Sequence, residues 1–399
     1  MQQLSHPAAV GISMQEYFDI IIIGAGPAGL NAGLHVLKGS VKHSILLVDK
    51  TAPWEHPIQC AEAVSRSGFE RSINVRPNWI RQTITKAAFH APNGLVVTYT
   101  DKNGGYIIDR AAMQQDIAHD LMAQGVVCHF DRRVTHVSSS MKNFHTTIEF
   151  ADGLAAHGRV IIDAAGPIAG LGRDSIPAKP LDLEPACFVL ADGLALSADT
   201  VHIYMSKEFA PGGYAWVFPR GAGANIGIIV GSALKGKVNI SRLLDAFLLH
   251  HFPKVSIVKR YAGVIPCASG RTRMATSGFF KAGDAASTAN PISRAGISEG
   301  LYCGGLAGDY AVAMLEAHHE RDLQKVAKAY ETAWHKNLGH YHEKLARVKS
   351  TFAKVPDEDY SKAADALSRL EPAKLTMFRI FKAALGRFPR LLWGLRHMV

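Results

Sequence analysis

The sequence predicts an α/β fold in which the chain returns several times to one nucleotide-binding sheet, with a second, β-rich lobe and a helical C-terminal region. Three observations predict it. First, FDIIIIGAGPAGLNAGLHVL, Phe18 to Leu37, runs from an apolar strand pattern through clustered glycines into a helical pattern. Second, a short apolar strand ending in Gly283-Asp284 lies far downstream of that unit. Third, the pattern is strand-rich from Gly212 to Gly231 but helical from Gln324 onward.

The first unit is justified residue by residue. Phe18–Ile23 is a buried strand and a helix follows from about Pro27 to Lys38. A second strand, Ser44–Val48, ends at Asp49, which completes a β-α-β unit of Rossmann type. Gly24 permits the tight turn, Gly26 lets a pyrophosphate approach the backbone, and Gly29 lets helix and strand pack closely. The helix N-terminus around Ala28 offers unpaired N–H groups and positive dipole to phosphates. Asp49, with Lys50 beside it, falls 20 residues after Gly29, where a carboxylate takes both ribose hydroxyls. A glycine turn without a ligand does not explain strand, glycines, helix, strand and acid in this order.

NAD and FAD both use such a unit, and a second site decides between them. TSGFFKAGDAAS, from Thr276, places a short strand before Gly283 and Asp284, a pattern that resembles FAD enzymes of the glutathione-reductase type. The reading is therefore FAD, with Gly283 and Asp284 against its ribityl and pyrophosphate groups. Gly296 and Ile297 open a long helix whose N–H groups and dipole would face the reduced flavin's negative charge. Asp109-Arg110 follows a strand and opens a helix, which puts Arg110 in place to neutralise FAD phosphate. Val160–Gly166, VIIDAAG, is an apolar strand ending in small residues, so that Ala165 lets the cofactor pass close to backbone. The Asp-Gly that aromatic-ring hydroxylases usually carry there is absent.

These motifs give a discontinuous FAD-binding domain over 15–60, 106–174 and 270–323. A substrate-binding lobe takes 61–105 and 175–269, and 324–399 forms the helical C-terminal region. The composition suits this reading. With 48% hydrophobic and 20% charged residues in 399, the chain carries core enough for two or three lobes and excludes extended disorder. Five scattered cysteines without CxxC spacing read as neither a disulfide framework nor a zinc site and fit a reducing cytoplasm. The first 17 residues hold no Lys or Arg, so a signal peptide is not expected.

The net charge of +10 points to an anionic partner. Pro372 to Val399 carries six Lys or Arg and no acid, interleaved with apolar residues and Trp393. That pattern suits a helix lying on an anionic membrane surface; packing on the protein's own core suits it equally. Nucleic acid is not expected, because no recognition fold accompanies the charge.

Together the motifs resemble the geranylgeranyl reductase family, flavoproteins of the p-hydroxybenzoate hydroxylase-like superfamily. Pro57-Ile58-Gln59-Cys60-Ala61-Glu62 resembles the family's PxxCGE, with Ala61 in place of Gly, and Tyr214-Ala215-Trp216-Val217-Phe218-Pro219 matches its YxWxFP. Gly227 is kept from the GxG that normally follows, but Ile229 replaces the second glycine, and the late glycine-rich turn reads Ser293-Arg294-Ala295-Gly296. The resemblance implies reduction of isolated C=C bonds in a prenyl or isoprenoid lipid, pigment or quinone. It implies catalytic roles for Cys60 and Glu62 and a substrate slot lined by Tyr214, Trp216 and Phe218. The external reductant stays open between NAD(P)H, ferredoxin and a quinol-linked donor, as does the oligomeric state. Two alternatives stand beside it: a flavin monooxygenase or halogenase on the same fold, and a membrane-bound flavoprotein carrying electrons to quinone.

Overall fold

A run of three isoleucines with no exposed surface, Ile20 to Ile22, sits at the centre of β1 (Glu16–Ile23), as expected for a strand buried on both faces. The computed structural model describes residues 16–384 apart from 40, 56–57, 141–144, 173–175, 177–181, 268–270 and 372–373. After β1 come α1 (Pro27–Val36) and β2 (Ile45–Val48), parallel to β1. Pro27, with its φ already fixed, starts α1 directly behind Gly26. The chain then crosses to a second sheet with β3 (Ala63–Ser65), α2 (Arg66–Ser72), β4 (Ile80–His90) and β5 (Val96–Ile108). It returns through α3 (Arg110–Ala123), capped by the Asp109 carboxylate, which accepts from Ala112 N–H at 3.0 Å. β6 (Val127–His129), β7 (Val134–Ser140), β8 (His145–Phe150) and β9 (Ala155–Asp163) complete this passage.

A second crossing supplies β10 (Asp182–Asp192), β11 (Thr200–Tyr204), β12 (Tyr214–Arg220), β13 (Gly223–Ile229), α4 (Ile240–His251) and β14 (Ser256–Cys267). The chain comes back with β15 (Ala275–Thr276), β16 (Phe279–Lys281) and the long α5 (Ile297–Leu315). The first sheet runs β15-β16-β9-β1-β2-β6, with β7 and β8 added beside β9. The second runs β14-β10-β13-β12-β11-β4-β5-β3 and is antiparallel except between β11 and β4.

Side-chain alternation divides the second sheet into two apolar faces. One, with Val189, Val217, Ile226 and Ile228, packs under Leu244 and Phe247 of α4. The other gathers Phe188, Trp216, Phe218 and Ile229, with Ala61 and Ala63 packed against it. The first sheet is covered by α1, which α5 crosses so closely that a Cβ on Gly304 would stand 1.9 Å from the Ala28 carbonyl oxygen. Asn31 secures the crossing by donating to the Leu301 carbonyl at 2.7 Å.

The remaining described residues form α6 (Glu320–Trp334), a π-turn (His335–Gly339), α7 (His340–Phe352), α8 (Asp357–Ser368) and α9 (Met377–Ala384). Glu331 of α6 caps the first sheet's edge by accepting from Met274 N–H at 2.7 Å. Leu375, Ile380 and Ala383 pack on Val97, Ala364 and Leu367, so the start of the basic tail lies on the protein's own core. Residues 385–399, with the rest of that tail, lie outside the described residues. No helix among the described residues is long and apolar enough to cross a membrane.

Candidate functional site

The turns at the ends of β1 and β9 meet at the first sheet's carboxyl edge, the place where nucleotides bind on open α/β sheets. Gly24 has φ +107°, and a Cβ there would lie 2.3 Å from the Ala164 carbonyl oxygen, so only glycine fits. Ala165 follows one residue on, its N–H donating to the Asp163 carboxylate at 3.1 Å. Gly29 is just as constrained, since a Cβ would stand 1.8 Å from the Gly24 carbonyl oxygen. Gly26 differs. The first side-chain atom a Cβ there would meet is an Arg110 guanidinium nitrogen, at 3.9 Å. Between Gly26 at the foot of α1 and Arg110 at the foot of α3 lies a cradle open to an anion. Asp49 accepts from Ala25 N–H at 2.6 Å, which ties the end of β2 to the glycine turn, and Lys50 beside it is exposed.

Gly283 and Asp284, remote in sequence, come to the same place. Gly283 has φ +60°, and a Cβ on it would lie 2.7 Å from the Ala28 methyl group. The Asp284 carboxyl is pushed up to about 6 by burial, against the pull of Arg110. One of its oxygens lies 3.7 Å from where a Cβ on Gly296 would sit, so the turn that opens α5 at Ile297 closes on it. Arg110 is held by Gln114, which accepts from its Nε at 2.7 Å and in turn donates to the Pro53 carbonyl. Four side chains around this region, Thr51, Ser287, Thr288 and Glu299, bury a polar oxygen that finds no protein partner among the described residues. Glycine turns, two open helix ends, a fixed arginine and unmatched buried oxygens are a donor and acceptor set that suits a flavin dinucleotide.

Cys60 and Glu62 sit where the second sheet meets this cradle. Glu62 is 3% exposed and has φ +61°, where a non-glycine residue is strained. Its carboxylate compensates by accepting from Arg110 N–H at 3.1 Å and Arg220 Nε at 2.8 Å. Cys60 is half-buried; burial pushes its thiol up, with Arg110 pulling the other way. A chain of two bonds joins it to the aromatic face. Trp216 Nε1 donates to Asn225 Oδ1 at 2.8 Å, and Asn225 Nδ2 donates to the Cys60 carbonyl at 3.0 Å. Gly227 leaves the space for that indole, since a Cβ on it would stand 2.3 Å from the Trp216 ring. Trp216 and Phe218 are both buried on this face, and Tyr214 packs against it.

At the far edge, Tyr214 donates its hydroxyl to the Ser293 carbonyl at 2.6 Å, and the Arg294 guanidinium stacks 5.3 Å over its ring. Burial pushes that phenol up to about 12. Arg294 has φ +59° in the altered glycine turn and is paired through Nε to the fully buried Glu184 at 2.7 Å. Lys349 of α7 reaches both Asp182 and Glu184, each at 2.7 Å.

Arg220, Asn225, Glu184 and Glu299 were not legible as site residues, because each is an ordinary polar type whose partner is distant in sequence. Glu299 carried the one available signal, an acid in the first turn of the helix that Gly296 and Ile297 open. Its carboxyl is raised to about 7, chiefly by burial, while Arg71 pulls it down and Asp284 pushes it up.

The family model described as the geranylgeranyl reductase catalytic domain matches residues 182–265, the strands from β10 to β14. The model described as lycopene cyclase protein matches residues 19–183, the glycine turn and most of the first sheet. Among curated proteins, the chain is 27% identical over 395 residues to the digeranylgeranylglycerophospholipid reductase of Methanosarcina acetivorans, covering 96% of each. Among solved structures, a geranylgeranyl bacteriochlorophyll reductase-like protein from Thermoplasma acidophilum superimposes with a TM-score of 0.85 at 20% identity. That match covers 96% of this chain and all of the other. A flavin-dependent brominase superimposes with a TM-score of 0.65 at 16% identity, over 95% and 94% of the two chains. The fold is shared with the reductase-like protein and with the flavin-dependent brominase.

Proposed function

We propose that the chain is a member of the geranylgeranyl reductase family of FAD-dependent oxidoreductases and that it saturates isolated carbon–carbon double bonds in the prenyl chains of an isoprenoid lipid. Digeranylgeranylglycerophospholipids, for which the curated relatives are named, are the first class to test. The observation that carries this reading is the Trp216–Asn225–Cys60 linkage, which fastens a buried aromatic wall to the backbone of Cys60, whose thiol lies under the influence of Arg110.

When bound, the reduced flavin supplies the hydride equivalent for the alkene. An unactivated alkene also needs a proton and an enclosure free of water. Cys60 suits the first need: burial keeps its sulfur as S–H, and the Arg110 charge steadies the thiolate left once the proton has gone. Trp216 and Phe218 suit the second, as an apolar wall along which a prenyl chain lies. Glu62 acts as a positioning residue. With its two oxygens engaged by Arg110 N–H and Arg220, it fixes the strained backbone two residues beyond the thiol rather than delivering a proton. Asp49, Arg110, Asp284 and the amides at Gly26, Gly283, Gly296 and Ile297 hold FAD in this reading. NAD(P)H or a ferredoxin is the external reductant, and residues 385–399 carry the protein to the anionic surface where its substrate resides.

Anaerobic incubation of the reduced protein with a digeranylgeranylglycerophospholipid, followed by mass spectrometry, tests the proposal. Gain of two hydrogens per double bond is expected. An unchanged lipid, or a product that forms only with oxygen, would overturn it and favour monooxygenase or halogenase chemistry. Removing residues 385–399 is expected to abolish sedimentation with anionic vesicles; undiminished binding refutes the membrane role of the tail.

A further inference from the structure

The π-turn between α6 and α7 does more than connect two helices. In a regular α-helix, a step of five residues separates two side chains by roughly 140° around the axis. A π-turn takes up one extra residue, so a step of five across it behaves like a step of four, roughly 40° apart. His335 opens the π-turn and His340 follows it directly, and Glu343 lies three residues further along α7. All three therefore project from one face. Two histidines at an effective i, i+4 spacing with an acid one turn on is a metal-binding arrangement.

The atoms agree with the pattern. One ligand atom from each of the three residues lies within 4.8 Å of the other two. His335 Nε2 and Glu343 Oε2 are 3.7 Å apart, too far for a hydrogen bond and close to the separation of two ligands on one tetrahedral ion. Gly339 makes the geometry accessible, because a Cβ there would stand 3.2 Å from His335 Nδ1 and 3.0 Å from Trp334 Nε1. A cavity of about 30 Å³, roomy enough for water, is bordered by His335, Gly339, His342 and Glu343. His342 is 2% exposed, and its Nδ1 finds no protein partner among the described residues, which leaves it free to hold a water in that cavity.

We propose that His335, His340 and Glu343 form a binding site for a divalent transition-metal ion of the Zn2+ type, with water as the fourth ligand. None of its three ligands belongs to the flavin cradle, which gives it a structural role. It would pin α7, whose Lys349 holds Glu184 and through it Arg294 at the substrate wall.

Untagged, flavin-loaded full-length protein, stripped with EDTA and dialysed against buffered Zn2+, is assayed for metal by mass spectrometry and for flavin by absorbance. About one Zn2+ per flavin is expected, with a melting temperature that rises with Zn2+ concentration. His340→Ala and His335→Ala are each expected to weaken binding at least tenfold and to abolish the rise. His340 is exposed, so its removal leaves the fold and the flavin content intact. No bound Zn2+ in the wild type, or binding by both variants equal to wild type, overturns the proposal.

Discussion

The two ends of the proposed flavin site are built by different means. At the dinucleotide end, backbone does the work: Gly24, Gly29 and Gly304 bring chain against chain at distances that no side chain permits. At the reacting end, side chains do it: Glu62 with Arg220, Asn225 with Trp216 and Cys60, and Glu184 with Arg294 and Lys349. Backbone contact fixes one geometry and tolerates no exchange. Paired side chains fix an equally definite geometry that can be altered one partner at a time.

Substitutions at the two ends should therefore fail differently. The largest loss is expected from Gly304→Val, which drives a side chain into the Ala28 carbonyl. The crossing of α1 and α5 would have to open, at more than roughly 3 kcal/mol, and flavin would be lost with it. Denaturant unfolding and visible absorbance measure both, and retention of full flavin content would contradict the backbone account of this end.

Glu184→Gln should cost less, about 2–3 kcal/mol, by leaving Arg294 buried without a charged partner. Flavin should stay bound while turnover of lipid falls, because the turn at Ser293 that receives the Tyr214 hydroxyl loosens. Equal loss of flavin and turnover would erase the distinction between the ends.

The smallest effect sits between them, at Glu299. Its folded carboxyl is raised to about 7 from an ordinary value of 4.5, so the folded protein keeps a proton that the unfolded chain has released. Its contribution to stability is thus complete at pH 4 and is lost as pH rises through about 7. Glu299→Gln should melt like wild type at pH 5 and above it at pH 8.5. Parallel melting curves across that range would show that the carboxyl does not titrate there.

The same division explains what could be read from the chain beforehand. Gly24, Gly26, Gly29 and Asp49 form a local pattern whose spacing is set by one strand, one turn and one helix, so their meaning survives without a structure. Gly283 and Asp284 were legible for the same reason, as the end of a short strand. Cys60 and the Tyr214–Phe218 strand were legible only through likeness to a family. Arg220, Asn225 and Glu184 were not legible at all. Glu62 and Arg220 are separated by 158 residues, Asn225 and Cys60 by 165, and Glu184 and Arg294 by 110, and no local periodicity records such a pairing. Arg294 lies in the altered glycine-rich turn, and the structure gives it a left-handed backbone and a buried ion pair that holds it there.

The crossing of α1 with α5 carries a consequence for how the protein is made. Asn31 and the Leu301 carbonyl it binds are separated by 270 residues. As the chain leaves the ribosome, its first glycine turn therefore waits without the helix that completes it until most of the protein has been synthesised. During that interval α1 covers the isoleucines of β1, but its own face toward α5 stays unpaired. Flavin capture belongs to the last stage of biogenesis, and a nascent chain stalled before α5 should be a client of chaperones rather than a partly loaded flavoprotein.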